Sequence, residues 1–195
     1  MVSQSPTTHP APTPAPAIGP PRVAVRAAGP ADRSAVEAMV ERCTAETLRR
    51  RFNGAVGRAA RREISRITDP TERHRSWIAV DPSGAVHGTA TLALAASGVA
   101  EAAVLVEDGW RRRGIGRALV SALTDDARRS GLGAVVAAVH ADNVPAVHFV
   151  RALSPRARAE HHGGGDLEVT VALRAGARGR TPAGVATAPP AREVA

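Results

Sequence analysis

Residues 101–120 read E-A-A-V-L-V-E-D-G-W-R-R-R-G-I-G-R-A-L-V. Ala102 to Val106 form an unbroken apolar run of strand length, and from Ile115 the spacing changes. Ile115, Ala118, Leu119, Ala122 and Leu123 then fall on one face of a helix that runs to about Ser130. Between strand and helix lies Arg111-Arg112-Arg113-Gly114-Ile115-Gly116. A turn that feeds a strand directly into a helix leaves N–H groups without internal acceptors, and these can converge on an anion. Gly114 and Gly116 let a phosphate approach the backbone. Arg111, Arg112, Arg113 and Arg117 add fixed positive charge around it. The expected ligand group is a pyrophosphate. The stretch lacks the G-K-[ST] ending of a P-loop and the spacing of the dinucleotide G-x-G-x-x-G. The plainer reading is a helix start surrounded by solvated arginines.

Outward from this stretch, patterns of period two and period 3.6 alternate. Arg22–Ala27, Ser76–Val80, Ala85–Leu94, Val99–Glu107, Ala134–His140 and Leu167–Leu173 read as strands. The turn Asp81-Pro82-Ser83-Gly84 makes a hairpin of the second and third. Asp32 can cap a helix whose Val36, Met39, Val40 and Cys43 form one stripe. A helical stretch from Thr44 to Thr68 is interrupted near Asn53-Gly54, and a last helix, Asn143–Leu153, is expected to bury Ala146, Phe149, Val150 and Leu153. Strands interleaved with helices predict an α/β (α+β) single domain, a mixed central sheet flanked by helices. Residues 1–21 carry seven prolines and read as a disordered arm. The domain is expected over 22–173, and 174–195 reads as a disordered tail.

Composition narrows the function. The 195 residues hold 26 basic and 18 acidic side chains, a net charge of +8, and every basic one is arginine; tyrosine is absent too. So complete a bias looks like the codon pressure of a GC-rich genome, which makes arginine abundance weak evidence for nucleic acid. A single cysteine, Cys43, excludes an intramolecular disulfide framework, and the apolar stripe makes it a core residue. No run approaches the ~18 apolar residues of a membrane span, and the first residues do not read as a signal peptide. A cytoplasmic protein is expected, with no membrane contact. Arg58, Arg62 and Arg66 recur at helical spacing, within a stretch (44–75) of nine arginines and four acids. That stripe reads as a solvated face, and so few aromatics argue against single-strand recognition. His161-His162 precede three glycines and suggest a hairpin turn; no metal site is expected.

The segment 111–116, with a strand before it and a helix behind, resembles the [Q/R]-x-x-G-x-[G/A] loop of the GNAT superfamily of N-acetyltransferases. The likeness runs from V-R-A-A-G-P-A-D through C-T-A-E-T-L-R-R-R-F to Ala141-Asp142-Asn143. It is strongest to bacterial protein lysine acetyltransferase-like domains, which share an A-E-x-A-V-x-V strand, here Ala100–Val106. The resemblance implies acetyl-CoA as acyl donor, with the pyrophosphate on Arg111, Arg112, Arg113, Gly114, Ile115, Gly116 and Arg117. It implies pantetheine along the strand at Leu105 and Val106, and Asn143 holding the cofactor arm. Glu101 takes the place of the family's glutamate base. From the residues alone, a carboxylate opening an apolar strand is expected to be desolvated, which suits it to accept a proton; the competing reading is an ion pair with an arginine. Glu107 reads as a solvated edge carboxylate.

The departures are equally specific. The helix tyrosine that protonates the leaving thiolate in many family members is replaced by Val150, and Leu-Gly-Phe becomes Leu153-Ser154-Pro155. His140 is a candidate acid, and His148 reads as a partly exposed helix residue. The implied function is acetyl transfer from acetyl-CoA to a primary amine, on a protein lysine or a small molecule, by direct attack with general-base help. A homodimer is possible on the family's example. The alternatives are a non-catalytic acyl-CoA-binding module and a nucleic-acid-binding protein.

Overall fold

The computed structural model describes residues 23–52, 56–95, 98–153, 157–162 and 166–173. Both expected terminal segments, 1–21 and 174–195, lie outside the described residues, and so does the departure at Ser154-Pro155. Seven strands form one sheet: β1 (Ala24–Ala27), β2 (His74–Val80), β3 (Val86–Leu94), β4 (Val99–Val106), β5 (Ala134–His140), β6 (Ala157–His162) and β7 (Asp166–Ala172). Their spatial order is β1-β2-β3-β4-β5-β7-β6, and β4 with β5 is the parallel pair among antiparallel neighbours. The helices are α1 (Arg33–Arg42), α2 (Ala45–Phe52), α3 (Val56–Thr68), α4 (Ile115–Arg129) and α5 (Val144–Leu153).

Period-two alternation divides the sheet between two cores. Ala79, Ala90, Leu92 and Ala100 face α4, where Ile115, Leu119, Leu123 and Ala127 complete a buried cluster. Ile78, Val80, Val86 and Leu105 face the other way, onto Val36, Met39 and Cys43 of the α1 stripe and Ile64 and Ile67 of α3. Of the expected α4 positions Ala118 is exposed and Ala122 only half-buried, while Ala127, outside the expected set, is buried. In α5 the buried residue is Val147, while Ala146, Phe149, Val150 and Leu153 are only half-buried. Asp32 precedes α1 without capping it by its side chain. Its carboxylate instead receives both Nη groups of Arg26, at 2.6 and 2.8 Å, and the Gly29 N–H.

Strand β6 was not expected. Its A-R-A-E-H-H sequence sets charge on alternate residues, and it sits at the sheet margin with β7 as its one neighbour. An edge strand carries such residues readily, but they hide it from a reading based on apolar runs.

Gly88 sets how closely α4 can lie on the sheet. A Cβ there would come within 3.0 Å of Leu119 Cδ1, 3.1 Å of the Leu105 carbonyl oxygen and 3.2 Å of Ile115 Cγ2. Leucine can turn aside, but a backbone carbonyl in a paired strand cannot. The first turn of α4 is therefore held where only a hydrogen on residue 88 fits. Gly88→Val is expected to lower the free energy of unfolding by about 1–3 kcal/mol, read by chemical denaturation.

Candidate active site

Strands β4 and β5 are paired for only three residues: Val99 with Ala134, Ala100 with Val135 and Glu101 with Val136. Beyond that point each keeps its outer partner. β4 stays on β3 as far as Val106, and β5 stays on β7 as far as His140. A notch opens between them, edged by the backbones of Ala102–Val106 and Ala137–His140. Backbone polar groups there have no strand to meet, so they are available to an extended amide-bearing ligand.

The notch leads along β4 into the turn before α4. Arg112 has φ 62° and Gly114 φ 81°, so the chain enters the left-handed region twice within three residues. A side chain rarely adopts that conformation, and alternating backbone of this kind can gather N–H groups around an anion. The first backbone bond of α4 runs from Ala118 N–H to Gly114 O at 3.0 Å. Among the described residues, no backbone acceptor outside the helices and strands meets the N–H groups of Arg112 to Arg117. Space beside the Gly114 Cα is open, whereas Gly116 lies beneath Phe149 of α5, whose ring is 3.2 Å from where a Cβ would stand. These donors, with Arg112, Arg113 and Arg117 all exposed, fit a pyrophosphate.

Beneath the turn lies a network absent from the sequence reading. Glu107 is buried, not solvated. Its carboxylate receives Arg42 Nε and Nη2 at 3.0 Å each and faces His87 Nδ1 at 2.9 Å. The other ring nitrogen of His87 faces Asp81 Oδ2, also at 2.9 Å. Trp110 stacks on that ring, 3.6 Å between centroids, and Arg113 lies over the indole at 5.0 Å. Burial pushes the Glu107 carboxyl up, but the bonds from Arg42 and His87 outweigh it and hold it below the usual range. His87 and Ser83 hold Asp81 far below that range. Asp108 binds Thr44 N–H at 2.9 Å, Thr47 Oγ1 at 2.7 Å and Arg111 Nη1 at 3.1 Å, which ties the turn to the start of α2. Arg111 also donates to the Val106 carbonyl, so it braces the turn from within.

Glu101 lies where the two strands part, and it is exposed. The expected desolvation does not occur, because residues alternate across the strand: Ala100 enters the α4 core while Glu101 faces a pocket beneath α2 and α3. Glu101, Ala102 and Ala103 form one side of it, with Thr91 of β3 and Ser76 and His74 of β2. Glu63 and Arg66 of α3 and Arg51 of α2 also line it. Arg49 and Arg50 pair with Glu46, and Arg51 with Glu63, so part of the basic stretch is neutralised locally. Arg58 and Arg62 are exposed, as a solvated face requires.

The remaining expected site residues divide by what their side chains do. Those of Leu105 and Ile115 are buried in the two cores, leaving their backbones to act, and Val106 is half-buried. Asn143 caps α5, its Oδ1 accepting the Ala146 N–H at 3.3 Å. His148 is exposed and Val150 half-buried. His140 Nδ1 lies 2.8 Å from Asp142 Oδ1, but the two are not aligned as a hydrogen bond. Cys43 is buried, and burial pushes its thiol up to about 11, an inert core group.

The acetyltransferase (GNAT) family profile matches residues 42–154, more than half of the chain, and the chain belongs to that family. It is a GNAT-type N-acetyltransferase, of a family whose members take acetyl-CoA as acyl donor. The GNAT domain of S. lividans PAT superposes with a TM-score of 0.68 at 20% identity, covering 76% of this chain and 89% of that one. A GCN5-related N-acetyltransferase from Kribbella flavida is 27% identical, with a TM-score of 0.60 and coverage of 76% and 95%. The yncA protein of Salmonella typhimurium, solved with its cofactor acetyl-CoA, gives a TM-score of 0.61 at 19% identity over 82% of this chain and 99% of that one. No curated protein matches the chain by sequence. Among the described residues, no helix is long and apolar enough to cross a membrane.

The lowered carboxyls make the footing of the turn sensitive to acid. Each takes up a proton more readily in the unfolded chain, so its stabilisation is complete above about pH 5. It is then lost as pH falls through the unfolded and folded values in turn. Glu107→Gln removes a charged acceptor from both Arg42 and His87. It is expected to cost about 2 kcal/mol near neutral pH and to flatten the acid slope, as measured by denaturant unfolding from pH 7 to pH 3.

Proposed function

We propose that this chain moves the acetyl group of acetyl-CoA to a primary amine by direct attack, with Glu101 as general base. The observation that carries this reading is the parting of β4 from β5 immediately after Glu101. It puts the carboxylate at the head of the notch and the unpaired N–H groups of the turn at the other end. Arg112, Arg113, Gly114, Ile115, Gly116 and Arg117 hold the pyrophosphate, through backbone donors and exposed guanidinium groups. Arg111 contributes by fixing the turn. The backbones of Leu105 and Val106 receive the pantetheine arm, and Asn143 orders the facing end of α5, where its amide borders that arm.

Acetyl-CoA supplies a thioester carbonyl already activated toward amines. Glu101 takes a proton from the ammonium, directly or through water, and the freed nitrogen attacks. The C–N bond forms, the C–S bond breaks, and the attacking nitrogen releases its second proton to water. A free N–H of the notch can polarise the carbonyl. The thiolate departs without a tyrosine acid and takes its proton from solvent, a step a sulfur leaving group tolerates near neutral pH. A protein lysine and a small-molecule amine both satisfy this chemistry.

Two measurements test the assignment. Glu101→Gln is expected to lower turnover by about 100-fold or more, with acetyl-CoA affinity in calorimetric titration nearly unchanged. Equal rates for both proteins from about pH 6 to 9 would remove Glu101 from the role. Gly114→Glu sets a side chain at φ 81° and a negative charge beside the donors, and is expected to abolish acetyl-CoA binding.

A further inference from the structure

The pocket in front of Glu101 carries charge of both signs, and the charges are differently engaged. Arg51 gives its guanidinium to Glu63, which also accepts from Thr91 Oγ1 at 3.3 Å. With 12% of its side chain exposed, Glu63 belongs to an internal ion pair that ties α2 and α3 to β3. Glu101 and Arg66 are not engaged in this way. Among the described residues, Glu101 forms no ion pair, and Arg66 approaches its nearest carboxylate oxygen, on Glu63, only to 3.9 Å. That is beyond hydrogen-bond distance, and 60% of the Arg66 side chain is exposed. One carboxylate and one guanidinium therefore face the same hollow with bonding capacity to spare.

The rest of the lining restricts what can enter. Ala93 and Ala103 are small and uncharged, the His74 imidazole is the one ring in the lining, and no long aliphatic side chain contributes. A long alkyl amine would find no apolar channel. A bare cation would meet two carboxylates offset by two guanidiniums and gain little net attraction. A molecule with both charges meets its complement. The hollow encloses about 90 Å³, room for an ammonium, a carboxylate and a few carbons between them.

We propose that the acceptor is a small amino acid, its ammonium against Glu101 and its carboxylate held by Arg66. This rests on the amine-acetylation reading above and narrows it. The test pairs glycine, β-alanine and 4-aminobutyrate with methylamine, ethylamine and propylamine, which lack only the carboxylate. Thiol release from acetyl-CoA gives kcat/KM for each. In the best pair the amino acid is expected to exceed its amine at least tenfold. Arg66→Gln should bring that ratio close to one, while Arg62→Gln, an exposed arginine of α3 outside the pocket, should preserve it. Amines that react as well as amino acids, or a ratio that survives Arg66→Gln, would overturn the inference and leave acetyl transfer standing. If no compound of the set releases thiol, ligand-observed NMR titration decides. Amino-acid binding that exceeds amine binding and is lost in Arg66→Gln supports the site; equal or absent binding overturns it.

Discussion

Strand β4 loses its parallel neighbour after Glu101, and the rest of the molecule is arranged around that loss. An interior strand with one side unpaired is costly unless something meets its polar groups. The fold limits the exposure to Ala102–Val106 and keeps the same residues paired to β3 on the other side. The strand thus stays anchored to β3 while its other edge is left open. Because the opening begins at a particular residue pair, the side chain there stands at the head of the notch. Alternation then points Glu101 away from α4 and into the pocket under α2 and α3.

The far end of the notch needs a different kind of support. A turn with left-handed residues at 112 and 114 and several unpaired N–H groups does not hold itself. Apolar packing secures it from one side, through Ile115 and Leu119 against Gly88. Charge secures it from the other. Arg42 at the end of α1, Glu107 just after β4, His87 at the start of β3 and Asp81 in the turn that follows β2 are joined under Trp110. Oppositely charged groups there are matched within the protein, so the arginines above the turn remain for a ligand. The separation matters, because a guanidinium already spent on a buried carboxylate adds little to anion binding.

How much of this could be read from the sequence depends on whether the signal was local. The turn 111–116 and its flanking strand and helix are contiguous, and their patterns are strong, so the fold class was legible and so was the turn between that strand and helix. Strand β5 could be read to its ends for the same reason. The Arg42–Glu107–His87–Asp81 network was not legible, because its members come from three distant parts of the chain. His87 offered one clue, an imidazole inside a strand that otherwise carries no ionisable group. Glu101 shows the opposite error. Its apolar neighbours suggested burial, yet a strand has two faces, and near an opening one of them meets solvent. Asn143 was singled out for a ligand, while its side chain first serves the helix it begins.

The all-arginine composition has a consequence for such a site. An enzyme that binds a reactive thioester exposes its own amines to it, and an acetylated lysine loses its charge. Guanidinium groups stay protonated in proteins, so they present no neutral nitrogen for acyl transfer near neutral pH. Around the turn the positive charge is carried by Arg112, Arg113 and Arg117, which therefore survives repeated contact with the donor. At Arg66 the same chemistry leaves a planar group with several donors, suited to a carboxylate. Whatever genomic pressure removed lysine, its result is a turn and a charged pocket whose cations acyl transfer cannot neutralise.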